Sequence, residues 1–454
     1  MAGIGFDLRR HLRKETYVGL LRAYGLAAVV GSGPWVVAIV GTIVIGLAAL
    51  VYRSTGADVT VFFATVTHLT AASLVTSGLL QLVFTRFIAD RLFEKNPDIV
   101  VPNLLGALLV TTAASGGLGG LFALFAFKGM YTYRLLFMLN FVVLNNVWIL
   151  SVFLTSLKSY RSVVILFLGG YGTAFILALL LAPKGAEGLL LAFFVGQAIL
   201  FSATLWLVVR EYPTSFRVEF RFLDRRKVFP VLAGTGALYN VGVWIDKVIF
   251  WWAPETGIEV VGPIHMSPIY DVPIFLAYFT IIPGMAVFLV RIETDFADAY
   301  DSFYKSIREG ASLVTIQRGG DRMVKAARDG IYDIFRVQGI TVVLFILIAP
   351  RILRALHIPL SYTPLLTVDV IATGIQVVFL AILTVLFYLD YRKLSFTLNV
   401  LFCMANLILT LLSIQLGPRF YGYGFAVSLL IVSTAGIAIL TRRLKRLEYE
   451  TFMR

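Results

Sequence analysis

The sequence predicts an all-α integral membrane protein with about 12 transmembrane helices in two six-helix bundles and both termini in the cytoplasm. Three observations predict it. Of 454 residues, 59% are hydrophobic and 14% charged, with a mean hydropathy of +0.87, which excludes a string of soluble domains. The apolar residues gather into runs long enough to cross a bilayer, where a helix satisfies every backbone polar group internally. The Lys and Arg residues behind the net charge of +13 concentrate in alternate loops, which marks those loops as cytoplasmic. The charge therefore follows topology, and no nucleic-acid partner is expected.

Taken in order, the N-terminus carries Arg9, Arg10, Arg13, Lys14 and Arg22 before an apolar stretch from 23 to 52. A cleaved secretory signal has an apolar core of about 7–15 residues and a small-residue cleavage site. This stretch is about twice as long and many spans follow it, so an uncleaved first span is expected. Pro34, within Ser-Gly-Pro-Trp (32–35), predicts a kink or a break. The further apolar segments are 60–85, 103–127, 135–157, 162–182, 187–209, 229–252, 268–290, 337–350, 363–389, 395–416 and 421–441, the ninth span (337–350) being the shortest. An odd number of spans would spoil the charge alternation. Pro268, Pro273 and Pro283 predict that the eighth span is discontinuous.

The domain reading follows from the loops. Residues 1–209 form an N-terminal six-helix bundle, 210–228 a basic cytoplasmic linker, 229–441 a C-terminal bundle and 442–454 a basic cytoplasmic tail. The C-terminal bundle contains a cytoplasmic amphipathic insertion at 291–336, expected as two helices broken at Gly319-Gly320, the first with Phe296, Ala299, Phe303 and Ile307 on one face. That insertion suits either a helix lying on anionic lipid or a docking platform for a protein partner. A weak internal repeat links the bundles. Arg9-Arg10 precede the first span as Arg225-Arg226 precede the seventh, and Trp35 follows Gly25 by the ten residues that separate Trp244 from Gly234.

Catalytic signatures are missing. Cys403 is the single cysteine, so neither a disulfide framework nor a cysteine metal cluster can form. There is no Gly-x-x-x-x-Gly-Lys-Ser/Thr loop and no His-Glu-x-x-His, and no soluble insertion would hold a nucleotide-sugar transferase. The chain reads as a non-enzyme without a metal or cofactor.

Candidate functional residues come from polar groups at membrane depth. Within 239–252, Asn240, Trp244, Lys247 and Trp251 share one narrow stripe at about 100° per residue, with Asp246 on its flank. A charge on an isolated helix there costs at least about 2.5–3.5 kcal/mol, so Asp246 and Lys247 must face protein or water. One reading is that the stripe lines a sugar path, with rings for pyranose faces and amides for hydroxyls. The other is that Asp246 and Lys247 pair with neighbouring helices and hold the bundle together. Gln81, Trp35, and Asp369, Thr373 and Gln376 on the tenth span join the candidate path. Asp246, Asp271 and Asp369 are candidate ion sites, since an intramembrane carboxylate usually marks a transport function. His68 reads more readily as a satisfied hydrogen-bonding group than as a ligand.

Four stretches carry a family resemblance. Met-Ala-Gly-Ile-Gly-Phe-Asp-Leu-Arg-Arg (1–10), Leu-Leu-Arg-Ala-Tyr-Gly (20–25), Ser-Gly-Pro-Trp (32–35) and Phe-Ile-Ala-Asp-Arg-Leu-Phe-Glu (87–94) closely resemble the PelG family, the membrane transporters of Pel exopolysaccharide systems. More distantly, the chain is similar to the multidrug/oligosaccharidyl-lipid/polysaccharide (MOP) flippase superfamily, whose fold is two six-helix lobes around a central cavity. The resemblance implies export of an amino-sugar polymer of the biofilm matrix across the bacterial inner membrane. It also implies a complex with the cytosolic glycosyltransferase PelF and the membrane subunits PelD, a cyclic-di-GMP receptor, and PelE. It supplies no catalytic motif, so the candidate residues rest on membrane depth alone. The expectation is polymer export coupled to synthesis. Its alternatives are a cation-coupled carrier of lipid-linked sugars or small molecules, and a non-transporting scaffold of a synthase complex.

Overall fold

The computed structural model describes residues 17–51, 54–154, 160–212, 217–224 and 229–447. The basic residues at 9–14, the Arg225–Lys227 cluster and the tail beyond 447 lie outside them. Fourteen α-helices of ten or more residues occupy the described chain. They are α1 (Tyr17–Val51), α2 (Gly56–Phe93), α3 (Val100–Ala126), α4 (Tyr131–Leu154), α5 (Tyr160–Leu181), α6 (Gly185–Glu211), α7 (Pro230–Trp252), α8 (Pro268–Tyr278), α9 (Ile281–Val290), α10 (Ala297–Arg308), α11 (Leu313–Ala355), α12 (Thr363–Tyr388), α13 (Arg392–Leu416) and α14 (Tyr423–Leu444). Among the described residues, nine helical stretches are long and apolar enough to cross a membrane. This is a multi-pass membrane protein.

Helix pairing separates the chain into two groups. In the first, α1 packs on α5, α2 on α4, α3 on α4, and α6 on both α4 and α5. In the second, α7 packs on α13, α11 on α9 and α12, and α14 on α12 and α13. Two pairings join the groups, α1 with α9 and α2 with α7. The α2–α7 crossing is close because both helices present glycine: a Cβ on Gly236 would stand 2.3 Å from Gly78 O. Small residues let membrane helices approach backbone to backbone.

Local chemistry explains the element boundaries. Thr55 caps α2 reciprocally with Asp58, its hydroxyl accepting from the Asp58 N–H at 3.1 Å while the Asp58 carboxylate accepts from the Thr55 N–H at 3.2 Å. α1 continues through Pro34, so of the kink or break expected there the break does not occur. The eighth apolar segment is interrupted as its prolines predict: Pro283 has no N–H for Phe279 O, and the helix stops at Phe279–Thr280. Around the break, Thr280 and Thr373 hydroxyls donate to Ala277 O at 2.7 and 3.3 Å, and Gln338 Nε2 donates to Thr280 O at 2.9 Å. Irregular backbone among buried helices needs such partners. A π-helical turn at Arg291–Phe296 leads into α10.

One sequence expectation is corrected. The insertion at 291–336 does not break at Gly319-Gly320. The break falls at Glu309–Ser312, where Gly310 takes φ +67° and Ser312 caps the following helix. α11 then runs unbroken for 43 residues, so the short ninth segment is the far end of one long helix. Gly319 and Gly320 instead make room for the Phe303 ring of α10. The all-α architecture carries one small addition. A two-stranded hairpin, β1 (Ile258–Val261) and β2 (Ile264–Met266), joins α7 to α8, pairs antiparallel with Glu259 opposite His265, and turns at Gly262 with φ +51°. Its Ile264 is buried in the apolar core of the first helix group.

Candidate functional site

Helix α7 turns one set of polar residues into the second helix group and another toward the space between the groups. Asp246 and Lys247 belong to the first set, and both are 0% exposed. Lys247 Nζ lies 3.1 Å from Asp246 Oδ2 and donates to Val243 O at 2.9 Å. Tyr270 of α8 donates its hydroxyl to Asp246 Oδ2 at 2.6 Å. Asn406 of α13 donates to Gly242 O at 2.8 Å and reaches Asp246 Oδ1 at 3.4 Å, while its own carbonyl accepts from Thr410 at 2.9 Å. The ammonium also lies near the Phe425, Tyr278 and Trp244 rings, at 4.7, 5.5 and 5.8 Å from their centroids. The pair is thus held from α7, α8, α13 and α14.

Asp369 of α12 extends this buried charge cluster. It is 0% exposed, and neither carboxylate oxygen has a hydrogen-bond partner among the described residues. Lys247 and Asp246 are the charges that act on it. Gly422, in the left-handed region at φ +84°, leaves space for it, since a Cβ there would stand 2.9 Å from Asp369 Oδ1.

The second face of α7 borders a cavity of about 600 Å³ between the helix groups. Its walls come from α1, α2, α4, α5 and α6 on one side, and from α7, β2 and α8 with Leu356 and Ile358 on the other. Trp244, Trp251 and Asp271 line it; Asp246, Lys247, Asn240, Gln81, Asp369, Thr373 and Gln376 do not. Among the described residues, no Lys or Arg lines it, and Asp271 is its one acidic group. Asp271 is held in place, accepting from Trp251 Nε1 at 2.8 Å and from the Ser267 N–H at 2.9 Å. The His68 ring stacks on Trp251 at 4.1 Å between centroids, and the Trp244 ring is tilted against the same indole at 6.2 Å.

The remaining sequence candidates lie elsewhere in the bundle. Asn240 Nδ2 donates across the group boundary to Leu74 O at 2.7 Å. Gln81 reaches Ser151 Oγ at 3.2 Å within the first group. Thr373 serves the α8–α9 break, and Gln376 lies 3.5 Å from the Tyr239 hydroxyl. Trp35 falls in a part of α1 where the backbone alone is described. Sequence reasoning missed the cavity residues Tyr171, Gln197 and His265, and Tyr270 at the ion pair. Each lies on a different element, and no spacing within one helix marks them.

The fold matches solved transporters at low identity. An outward-facing multidrug MATE transporter of the MOP superfamily aligns with a TM-score of 0.62 and 13% identity over 93% of this chain and 96% of that one. A MATE transporter in a bent conformation gives 0.61 and 13% over 98% of both chains. A MOP-superfamily transporter from Pyrococcus furiosus Vc1 gives 0.60 and 14% over 94% and 96%. No curated protein matches the sequence. The family model that does match covers residues 1–452 and is described as PelG, "Putative exopolysaccharide Exporter (EPS-E)". The chain belongs to the PelG family. Like these structural neighbours, the PelG family is a transporter family and not an enzyme family. In this PelG-family chain the MATE-like fold sets two helix groups face to face, and the cavity lies where they meet.

Proposed function

We propose that the protein exports Pel exopolysaccharide from the cytoplasmic face of the bacterial inner membrane outward, with the cavity as part of the path. The observation that carries this reading is a largely apolar cavity between the helix groups, with Trp148, Trp244 and Trp251 in its wall and, among the described residues, no Lys or Arg, in a chain of the exporter family. Such a surface suits a neutral sugar polymer and offers no cation to a diphosphate-linked one. At about 600 Å³ the cavity falls within the range of small-ligand pockets, about 300–1,000 Å³, so it holds a few sugar units and never a polymer. The chain must therefore thread through, and its synthesis supplies the push. We assign twelve spans, with α8 and α9 together forming the eighth and the distal part of α11 the ninth. Both termini are then cytoplasmic, and residues 1–209 and 229–441 are the two lobes. The charged faces of α10 and the first half of α11 then meet the synthase, PelF, with PelD and PelE.

Trp244→Ala with Trp251→Ala tests the path. Secreted polymer is expected to fall about tenfold or more, since truncating a buried aromatic anchor of a binding surface costs more than about 1 kcal/mol each. Membrane level and co-purification of partners are checked in parallel. Unchanged secretion would remove α7 from the path.

The cation-coupled alternative is favoured by one observation, the unpartnered Asp369 carboxylate beside Asp246 and Lys247. Asp369→Asn separates the two readings. Synthesis-driven export continues at near wild-type level, whereas ion-coupled transport is abolished because the amide carries no exchangeable charge.

A further inference from the structure

Helices α13 and α14 lie antiparallel, and three contacts fix their register. A Cβ on Gly424 would meet Thr410, one on Gly436 would stand 3.6 Å from a Leu398 methyl, and the Arg443 guanidinium lies 5.4 Å from the centroid of the Tyr391 ring. The start of α13 therefore sits beside the end of α14. Cations gather there: Arg392 and Lys393 open α13, Arg442 and Arg443 close α14, and Lys445 and Arg446 follow it. Among the described residues these two ends offer one carboxylate, Asp390, which is bound by Arg392 and lies 3.9 Å from Arg86. Lys393, Arg442, Lys445 and Arg446 are exposed and have no ion-pair partner among the described residues. The dipole of α14 favours the cations at its own C-terminus. Lys393 stands instead at the positive end of α13, where a further positive charge is unfavourable. An anion from outside the chain would satisfy both sets.

The surface leading away from this cluster is apolar. Leu401, Met404 and Ile408 are exposed along α13, on the helical face of Lys393 at about 100° per residue. Val427, Leu430 and Ile437 are exposed along α14, on a face that runs on to Lys445. We propose that the paired ends of α13 and α14 bind an anionic phospholipid, its phosphate held by Lys393, Arg442 and Lys445 and its acyl chains lying along the exposed apolar faces of the two helices. A free phosphate or an acidic protein segment would use the cations and leave the apolar faces idle. The inference is independent of the export path. It takes from the span assignment only the leaflet concerned, which is the cytoplasmic one.

The test is native mass spectrometry of the full-length protein, released from detergent micelles with phosphatidylglycerol or with phosphatidylethanolamine of the same acyl chains. The wild type is expected to retain phosphatidylglycerol in preference. Combining Lys393→Gln, Arg442→Gln, Lys445→Gln and Arg446→Gln is expected to weaken that binding about tenfold or more, since each cation at a lipid surface adds to the attraction. The melting temperature of the lipid-free protein should not move, because all four side chains are exposed. Combining Arg318→Gln, Arg322→Gln and Lys325→Gln removes three exposed cations of α11 and is expected to leave lipid binding unchanged. Equal retention of the two lipids by the wild type overturns the proposal, as does wild-type-like phosphatidylglycerol binding by the fourfold variant or an equal loss in the α11 variant. Glycerol 3-phosphate carries the phosphate without acyl chains, so displacement of the lipid by it overturns the lipid as occupant in favour of a soluble phosphate. Loss of a co-purifying protein subunit from the fourfold variant, with lipid binding intact, overturns it in favour of a protein partner.

Discussion

Lys247→Met is expected to destabilise the protein by about 3–5 kcal/mol, the usual cost of removing one partner from a buried ion pair. Asp246 would keep the Tyr270 hydroxyl at 2.6 Å and the longer Asn406 contact, yet it would lose its counter-ion in a place 0% exposed. Rings around the vacated ammonium offer no compensation, because their faces favour a cation. Pairing Lys247→Met with Asp246→Asn is expected to recover more than half of the loss, since an amide still accepts from Tyr270 and carries no charge to desolvate. Thermal melting in detergent, with membrane abundance in cells, measures both. A single variant that melts with the wild type would show that the pair carries no stability.

The same residues show how far the sequence could be read. Long apolar runs force helices at membrane depth, so most spans are legible from composition and length. Proline placed the interruption of the eighth segment correctly at Pro283, where Thr280, Thr373 and Gln338 supply partners for the freed backbone, whereas Pro34 and Pro273 sit inside continuous helices. Glycine did not place the next break, because it allows a turn without requiring one. Gly310 is used for its positive φ, while Gly319 and Gly320 are used for their lack of a side chain beside Phe303. The hairpin at 258–266 is too short for its alternation to register. At the candidate site, membrane depth singled out the polar residues of α7. Which of them meet the cavity is set by the helices around α7. Trp244 and Lys247 are three residues apart on one stripe, yet the indole borders the cavity while the ammonium turns back to Asp246. His68 is the sharpest case. From sequence it reads as a satisfied group, and one of its nitrogens is satisfied; the open one appears only when Trp251 and the cavity wall are placed around it.

Gly236→Ala is expected to weaken the join between the helix groups and to reduce secretion, although it adds only a methyl group. The new Cβ would stand 2.3 Å from Gly78 O and 3.2 Å from Gly78 C, and a backbone carbonyl inside a helix cannot rotate away. Gly78→Ala meets the same crossing from the other side, at 2.9 Å from Gly236 O and 2.8 Å from Asn240 Nδ2. Asn240 donates to Leu74 O, one turn before Gly78, so separating the helices also strips that bond. Overpacking of this kind costs about 1–3 kcal/mol even where side chains can yield. Gly339→Ala on α11 supplies the control, since nothing lies within 4 Å of its Cβ position. There the substitution should stabilise by up to about 1 kcal/mol through helix propensity alone. Two identical chemical changes are therefore expected to move the melting temperature in opposite directions. If Gly236→Ala melts with or above the wild type, the α2–α7 crossing is not the close contact described here. If it melts lower and secretion falls with it, the spacing of the groups across the cavity is itself part of the export path.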